Sequence, residues 1–171
     1  ASFTAKDGQR LMRVAVANDD MPFLVDSVAA IIASHNLRVV RLLHPVIATK
    51  RDDQNILQAL GKGGSRESLI YLECDRGDAR TRIAIRTELR SALAAVRAAV
   101  ADWPMLQAKL NSCAGQASGE DGAFLAWAAA GNFTLLGAAH YPGQESGLGI
   151  AKLGDTIFLS DAALKRALSL L

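Results

Sequence analysis

A polar turn between two apolar segments of different period is the feature that most constrains how this chain can fold. Residues 11–17 alternate between large apolar side chains and other side chains, which is typical of a half-buried strand. Over residues 22–34 the apolar residues recur at helical spacing, with Asp20 as the predicted N-cap and Pro22 in the first turn. The exposed N–H groups of such a helix start can hold a carboxylate, although a capped turn without a ligand is the simpler interpretation.

Length and composition limit the class of protein. The 171 residues suffice for one domain, or for one domain and part of another, and half of them are apolar. A net charge of +2 without a dense basic patch argues against a nucleic-acid-binding protein. The sequence has no signal peptide and no apolar run of about 18 residues, so no membrane span is expected. Cys74 and Cys113 lack metal-ligand spacing and a disulfide framework, so we expect reduced thiols and a cytoplasmic location.

The middle of the chain predicts two more strands and a long helix. Residues 38–49 predict a second strand, and Pro45 in its middle predicts an edge position or a bulge. A polar loop with glycines near its tip leads to a third strand at 68–75, in which Cys74 is predicted to be buried. The apolar residues of 78–101 then follow a helical period.

Arginines line one side of this long helix, next to its apolar stripe. They are Arg82, Arg86, Arg90 and Arg97. Such a row is usually a solvated flank of the helix. The alternative is a stripe that binds an anion or docks against another subunit.

The last third of the chain predicts shorter elements. A helix ends near residue 111, a linker follows at 115–122, and a helix at 121–130 is predicted to bury Phe124 and Trp127. Three short strands are predicted, at 133–141, 150–153 and 156–159. A final helix reaches the last residue, and its apolar end suggests a piece of a longer protein.

The order strand–helix–strand–strand–helix is the start of the ferredoxin-like βαββαβ plan. We therefore predict the α/β (α+β) class, with a ferredoxin-like βαββαβ sandwich followed by a helical insert and the start of a second α/β segment. The plan needs a fourth strand beside the first, and only 133–141 or residues from 150 onward could supply it, unless the first module is completed otherwise. The predicted domains are 1–114, with frayed residues 1–10, and a second, truncated segment at 115–171.

Several islands of sequence resemble the large bacterial NAD-specific glutamate dehydrogenase family and occur in its order. The longest reads Asn-Asp-Asp-Met-Pro-Phe-Leu-Val-Asp-Ser-Val. The islands occupy residues 18–28, 44–46 with 50–52, 67–73, 96–105, 124–127, 132–137 and 147–150. The resemblance implies a very long chain whose catalytic domain lies far toward the C-terminus, preceded by regulatory and assembly modules that begin with an ACT-like domain. It thus implies that the predicted βαββαβ sandwich is of the ACT type. This chain looks like that N-terminal part, with no cofactor of its own and NAD in the parent enzyme.

The resemblance also implies where an amino-acid effector would bind. ACT domains that bind amino acids typically carry glycine in the turn after the first strand, whereas here Phe23 and its neighbours crowd that approach. The candidate effector site consists of Asn18, Asp19, Asp20, Met21 and Phe23. Asp19 or Asp20 would hold the amine, and the helix N–H groups would hold the carboxylate.

Neither a catalytic site nor a metal site is predicted. No GxGxxG motif follows a strand, and the histidines at 35, 44 and 140 have no metal-ligand spacing, so packing roles are expected. No Ser–His–Asp or Cys–His set can be inferred from sequence separation alone. Acidic residues cluster near the third strand: Glu67, Glu73, Asp75 and Asp78. They favour a solvated strand face, with acid–base chemistry or a divalent ion as the alternative.

Three functions stay open at this point. The first is a non-catalytic regulatory or assembly module of an NAD-dependent glutamate dehydrogenase, whose partners are the other domains and subunits and an amino-acid effector. The second is a free-standing ACT-type protein that binds amino acids. The third is a small enzyme that uses the acidic cluster. None of the three involves a nucleic acid or a membrane.

Overall fold

A computed structural model describes residues 1–61, 63–139 and 147–153. The chain divides into two compact units, Ala1–Val96 and Arg97–Leu171. The expected domain boundary at residue 114 differs from this division and stays a prediction. Within the described ranges, no helix combines the length and the apolar character needed to cross a lipid bilayer.

An antiparallel sheet with its longest strand, β6, near the centre organises the first unit. The described elements are β1 Ser2–Thr4, β2 Arg10–Asp19, α1 Leu24–Ser34, β3 Val39–Leu43, β4 Val46–Arg51, β5 Leu57–Leu60, β6 Ser65–Asp75 and α2 Ala79–Ala101. The spatial order is β1-β2-β6-β4-β5, and β3 also pairs with β6. This mixed architecture confirms the predicted α/β class and the strand–helix–strand–strand–helix order.

The amino-terminal end is a strand, so the prediction of a frayed end is wrong. Phe3 of β1 pairs with Leu11 of β2, and the N–H of Arg13 donates to the carbonyl of Ala1 at 2.6 Å. In the βαββαβ plan this side of β2 belongs to the fourth strand. The short β1 therefore occupies only the first part of that position.

Pro45 interrupts the second strand of the plan, as its missing N–H leads one to expect. The strand is split into β3 and β4, both paired with β6, and a register shift lies between Val39 and Arg41. This strand thus carries a bulge, but not at Pro45, because the pairs Leu43–Tyr71 and Val46–Ser68 keep one register across the proline. The predicted loop after it contains β5, which pairs with β4 and removes β4 from the sheet edge.

The core lies on one face of the sheet, against α1 and α2. Its buried members are Met12, Leu24, Val28, Ile32, Ile70, Leu72, Cys74, Ile85 and Leu89. Alternate residues of β6 point into it, because side chains of a strand alternate between the two faces. Burial raises the pKa of the Cys74 thiol to about 11, which confirms Cys74 as a buried apolar residue and keeps it protonated.

The second unit begins with helices. Its described elements are α3 Trp103–Gln116, α4 Gly119–Trp127, a π-helical turn Ala128–Asn132, β7 Gly137–Ala138, β8 Leu148–Gly149 and a 3₁₀ turn Ile150–Leu153. β7 pairs with β8. The predicted strand at 156–159 and the predicted final helix lie outside the described residues.

Four expectations for this unit are wrong. Of the strand expected at 133–141, the described part contains only β7, Gly137–Ala138. Because α3 continues to Gln116, the expected linker at 115–122 shrinks to two residues between helices. Residues 150–153 form a 3₁₀ turn instead of a strand. Phe124 and Trp127 are not buried: they are about half exposed, at 54% and 51%, and they pack against each other and Phe133 with ring centroids about 6 Å apart.

Candidate functional site

Phe23, and not Asp20, is the residue at the start of α1. Phe23 has a left-handed backbone (φ 70°), no side chain caps the helix, and its carbonyl accepts the first helical hydrogen bond from Ser27. This conformation costs a residue with a Cβ about 1–2 kcal/mol, which explains the preference for glycine at such positions. The predicted cap by Asp20 is wrong, because α1 begins only after Phe23 and the carboxylate of Asp20 is bound by Arg66 and Ser68.

Asp20 binds the sheet instead. Its Oδ1 accepts a hydrogen bond from the Ser68 hydroxyl at 2.7 Å, and its Oδ2 accepts one from Arg66 Nε at 3.2 Å. The Asp20 N–H also donates to the Arg66 carbonyl at 2.9 Å. The turn is therefore fastened to the start of β6 by both its backbone and its side chain.

His44 completes this cluster from the break between β3 and β4. Its Nε2 lies 3.0 Å from the Ser68 hydroxyl, which is completely buried. Because Ser68 uses its only proton toward Asp20, the His44 ring must donate through Nε2–H. The Asp20–Ser68–His44 cluster thus joins the first turn, the third strand of the plan and the break at Pro45.

The cluster has the residue types of a nucleophilic triad but not its arrangement. In a triad the histidine lies between the acid and the nucleophile and accepts the nucleophile's proton. Here the serine lies in the middle, its proton points to Asp20, and no solvent reaches it. We conclude that these three residues hold the turn and do not attack a substrate.

The remaining residues of the candidate effector site lie around this cluster. The side-chain amide of Asn18 donates to the Asp19 carbonyl at 2.8 Å, and Asp19 is exposed at the end of β2. Met21 packs against the core. The ring of Phe23 is 43% exposed. The five predicted residues thus lie at the end of β2 and in the turn that follows it, and the carboxylate of Asp20 is bound by the protein itself.

A buried carboxylate, that of Glu67, lies one residue before Ser68, on the opposite face of the sheet. Glu67 accepts hydrogen bonds from two nitrogens of Arg51, one of them at 2.8 Å, and from the Thr49 hydroxyl. These bonds, those of Arg51 first, lower the pKa of Glu67 to about 2. Sequence separation gives no sign of this pair, although both residues lie in islands of the family resemblance.

The predicted acidic cluster does not act as one group. Glu73 pairs with Arg13 and Arg41 and accepts a hydrogen bond from Tyr71, Asp75 pairs with Arg38, and Asp78 caps α2. Glu67, Glu73 and Asp75 share one face of β6, but each is held by different partners along the strand. The favoured interpretation of a solvated strand face is wrong for Glu67 and Glu73, which are buried. The described residues contain no group of three or more His, Cys, Asp or Glu side chains that could hold a metal ion.

The histidines have separate surroundings. His35 Nε2 lies 3.0 Å from Glu88 of α2, and His44 belongs to the cluster described above. His140 lies outside the described residues. Nothing in the described geometry brings two histidines together.

In the second unit, three islands of the family resemblance meet at Asp102. This buried carboxylate accepts the Gly149 N–H at 2.6 Å and Lys152 Nζ at 2.8 Å, and both bonds, that of Lys152 first, lower its pKa. Gly149 has φ 59°, and a side chain there would collide with the Leu136 carbonyl. The glycine is therefore required by close backbone approach.

Comparisons with known proteins agree with this architecture. Residues 6–89 match the family described as "Glutamate dehydrogenase, ACT1 domain". An NAD-specific glutamate dehydrogenase of Halomonas elongata is 31% identical over 151 residues, which cover 77% of this chain and 9% of the relative. One of Pseudomonas aeruginosa is 32% identical over 145 residues, which cover 72% of this chain and 9% of the relative.

The first unit is therefore an ACT-type domain, defined by its sandwich and by the turn that joins its first strand to its first helix. The chain belongs to the NAD-specific glutamate dehydrogenase family and corresponds to an N-terminal region of its members. It spans about 9% of the length of the two relatives.

Proposed function

We propose that this chain is the N-terminal regulatory and assembly module of an NAD-dependent glutamate dehydrogenase. The parent reaction is the oxidation of L-glutamate by NAD to 2-oxoglutarate, ammonia and NADH. The observation that carries the proposal is the match of residues 6–89 to the ACT1 domain of this family. The low share of each relative that is covered favours a module over a free-standing protein.

The module acts through binding and not through chemistry. Its best candidate for a nucleophilic site is the Asp20–Ser68–His44 cluster, whose proton directions oppose catalysis. The acids of the predicted cluster near β6 are individually paired with arginines, with the exception of the helix cap Asp78. NAD belongs to the catalytic part of the parent, and a cytoplasmic location stays a prediction.

The proposed effector position is the turn at residues 18–23. The first three N–H groups of α1 have no acceptor within the helix, and they suit a carboxylate. The exposed Asp19 is the acid available for an amine, since Asp20 is held by Ser68 and Arg66. An effector regulates the parent only to the extent that it binds one state of the enzyme more tightly.

The proposal is tested on the full-length protein. We expect glutamate-dependent formation of NADH, followed by absorbance, and we expect none from residues 1–171 alone. Absence of this activity in the full-length protein would refute the parent reaction. Activity in the 171-residue chain would refute its non-catalytic role.

The effector position is tested on the 171-residue chain by amide chemical shifts. We expect one amino acid to cause saturable shifts at residues 18–28. The matched variants Phe23→Gly and Phe23→Ala separate the effect of the ring on binding from the effect of the backbone conformation. Both variants remove the ring, but only glycine adopts the left-handed backbone freely. Binding that is tighter in both variants than in the wild type shows that the ring crowds the site.

A further inference from the structure

One edge of β2 carries backbone groups without a strand partner among the described residues. Arg13 exchanges both backbone hydrogen bonds with Ala1, whereas Asp20 donates toward β6. Backbone groups of successive residues in a strand point to alternate sides, so those of Ala15 and Ala17 point away from β6. Only Ala1 to Thr4 cover this edge in the described part of the chain, and they reach no further than Arg13.

This edge lacks the features that usually prevent strand pairing. Natural edge strands carry charges, proline or bulges that keep other strands away. Residues 14–17 read Val-Ala-Val-Ala, and they pair with β6 in unbroken register. Both alanines are exposed. Such an edge is suited to receive a strand.

A groove runs along the same edge, between β2 and one side of α2. Its volume is about 440 Å³. Apolar side chains of both elements form its floor, among them Val14, Val16 and Leu89, and three arginines of α2 line it as well. The groove therefore combines apolar surface, open backbone groups and positive charge.

The positive charge of the groove lacks a counterpart in the described residues. Arg82 donates to the Gly77 carbonyl at 2.8 Å, but Arg86 and Arg90 form no ion pair with a described residue. Four residues of helix advance by about 6 Å, and two residues of strand advance by about 6.8 Å. Carboxylates at alternate positions of a docked strand would thus nearly match the spacing of these arginines.

We propose that this groove receives an extended, acidic segment of the parent enzyme from beyond residue 171. The segment pairs with Ala15 and Ala17 as an added strand and sets carboxylates against Arg86 and Arg90. A small anion offers no donor to the open carbonyl groups of β2, whereas a strand supplies both donors and acceptors. This inference rests on the proposed function, because it requires a parent chain.

The charge argues for a segment from outside this chain. The strands predicted at 133–141 and 156–159 contain no carboxylate. The relatives extend far beyond the matched region, since this chain spans about 9% of their length. The added strand would link the ACT-type domain to another part of the enzyme.

Cross-linking of the full-length protein identifies the occupant. Arg86→Lys supplies an amine that a carbodiimide can join to a neighbouring carboxylate. We expect mass spectrometry to find residue 86 joined to an acidic residue beyond 171. Arg80→Lys is the matched control, because residue 80 is exposed on the same helix outside the groove. A link to an acid within 1–171, or no link above the control, overturns the proposal.

Hydrogen exchange of the full-length protein tests the pairing. We expect slow exchange at Ala15 and Ala17, and exchange about tenfold faster or more when Arg86→Glu and Arg90→Glu repel the segment. Arg80→Glu should change nothing. Unprotected amides in the wild type, or protection that the double variant leaves intact, would refute an acidic strand. Glutamate-dependent NADH formation is measured in parallel, so a failure of the parent reaction is distinguishable from a failure of the docking.

Discussion

Both faces of β6 contain buried residues, but apolar packing stabilises one face and ion pairs with hydrogen bonds stabilise the other. On the helix face Ile70, Leu72 and Cys74 are buried among aliphatic side chains. On the other face Glu67 and Glu73 are nearly as buried, but arginines and hydroxyl groups surround them. The apolar face depends on volume and shape, whereas the polar face depends on complete pairing.

The helix face should give the largest effect. We expect Leu72→Ala to lower the free energy of unfolding by about 2–5 kcal/mol, because Leu72 is fully buried and a cavity would remain. Leu43→Ala is the control: Leu43 is 53% exposed, and its replacement should cost about 0.5 kcal/mol or less. Urea unfolding of the 171-residue chain measures both, and equal losses would contradict this view of the core.

The polar end of that same face comes next. Ser68→Ala leaves Asp20 and His44 without their shared partner, so we expect a loss of about 1–3 kcal/mol. The exposed Ser91 of α2 offers the control Ser91→Ala, which should stay within about 0.5 kcal/mol of the wild type. If the two alanine variants are equally stable, the cluster does not hold the turn.

The polar face should show its contribution to stability through its dependence on pH. The pKa of Glu67 in the folded protein is about 2, below its ordinary value of 4.5. Its pairing with Arg51 therefore makes its full contribution to stability at pH values above 4.5. The contribution is lost as the pH falls toward the folded pKa. We expect Glu67→Gln to be less stable at neutral pH and to lack this acid-dependent loss.

Urea unfolding measured between neutral pH and about pH 2 checks the prediction for Glu67. Asp53→Asn is the control, because Asp53 is exposed in the loop between β4 and β5 and should leave the pH profile unchanged. An unchanged acid-dependent loss in Glu67→Gln would assign that loss to other carboxylates.

Tyr71→Phe should have the smallest effect on stability. It removes one hydrogen bond to Glu73, which keeps Arg13 at 3.3 Å and Arg41 at 3.7 Å. That hydrogen bond is the largest cause of the lowered pKa of Glu73, so the pKa should rise toward its ordinary value. Carboxyl chemical shifts followed through a pH titration measure it, and a pKa that does not move would show that the arginines alone hold it down.

Much of the fold follows from periodicity. The alternation of residues 11–17 and 68–75 and the helical spacing of 78–101 predict β2, β6 and α2, including the burial of Cys74. Phe124 and Trp127 were expected in a core because apolar period alone does not tell a buried stripe from an exposed aromatic cluster. The candidate turn was found from residue types and family resemblance, but the partners of its side chains were not.

The sequence by itself determined the order of the elements and the position of the first turn, because apolar period and turn residues act over a few neighbouring positions. Only the tertiary structure decided what Asp20 does: its carboxylate could cap the next helix or cross to Ser68, which lies 48 residues away in the chain. The pairing of β2 with β6 brings Ser68 beside the turn and so allows the second possibility, which the structure adopts. The partners of Glu67 were decided in the same way, because strand pairing brings Thr49 and Arg51 beside it.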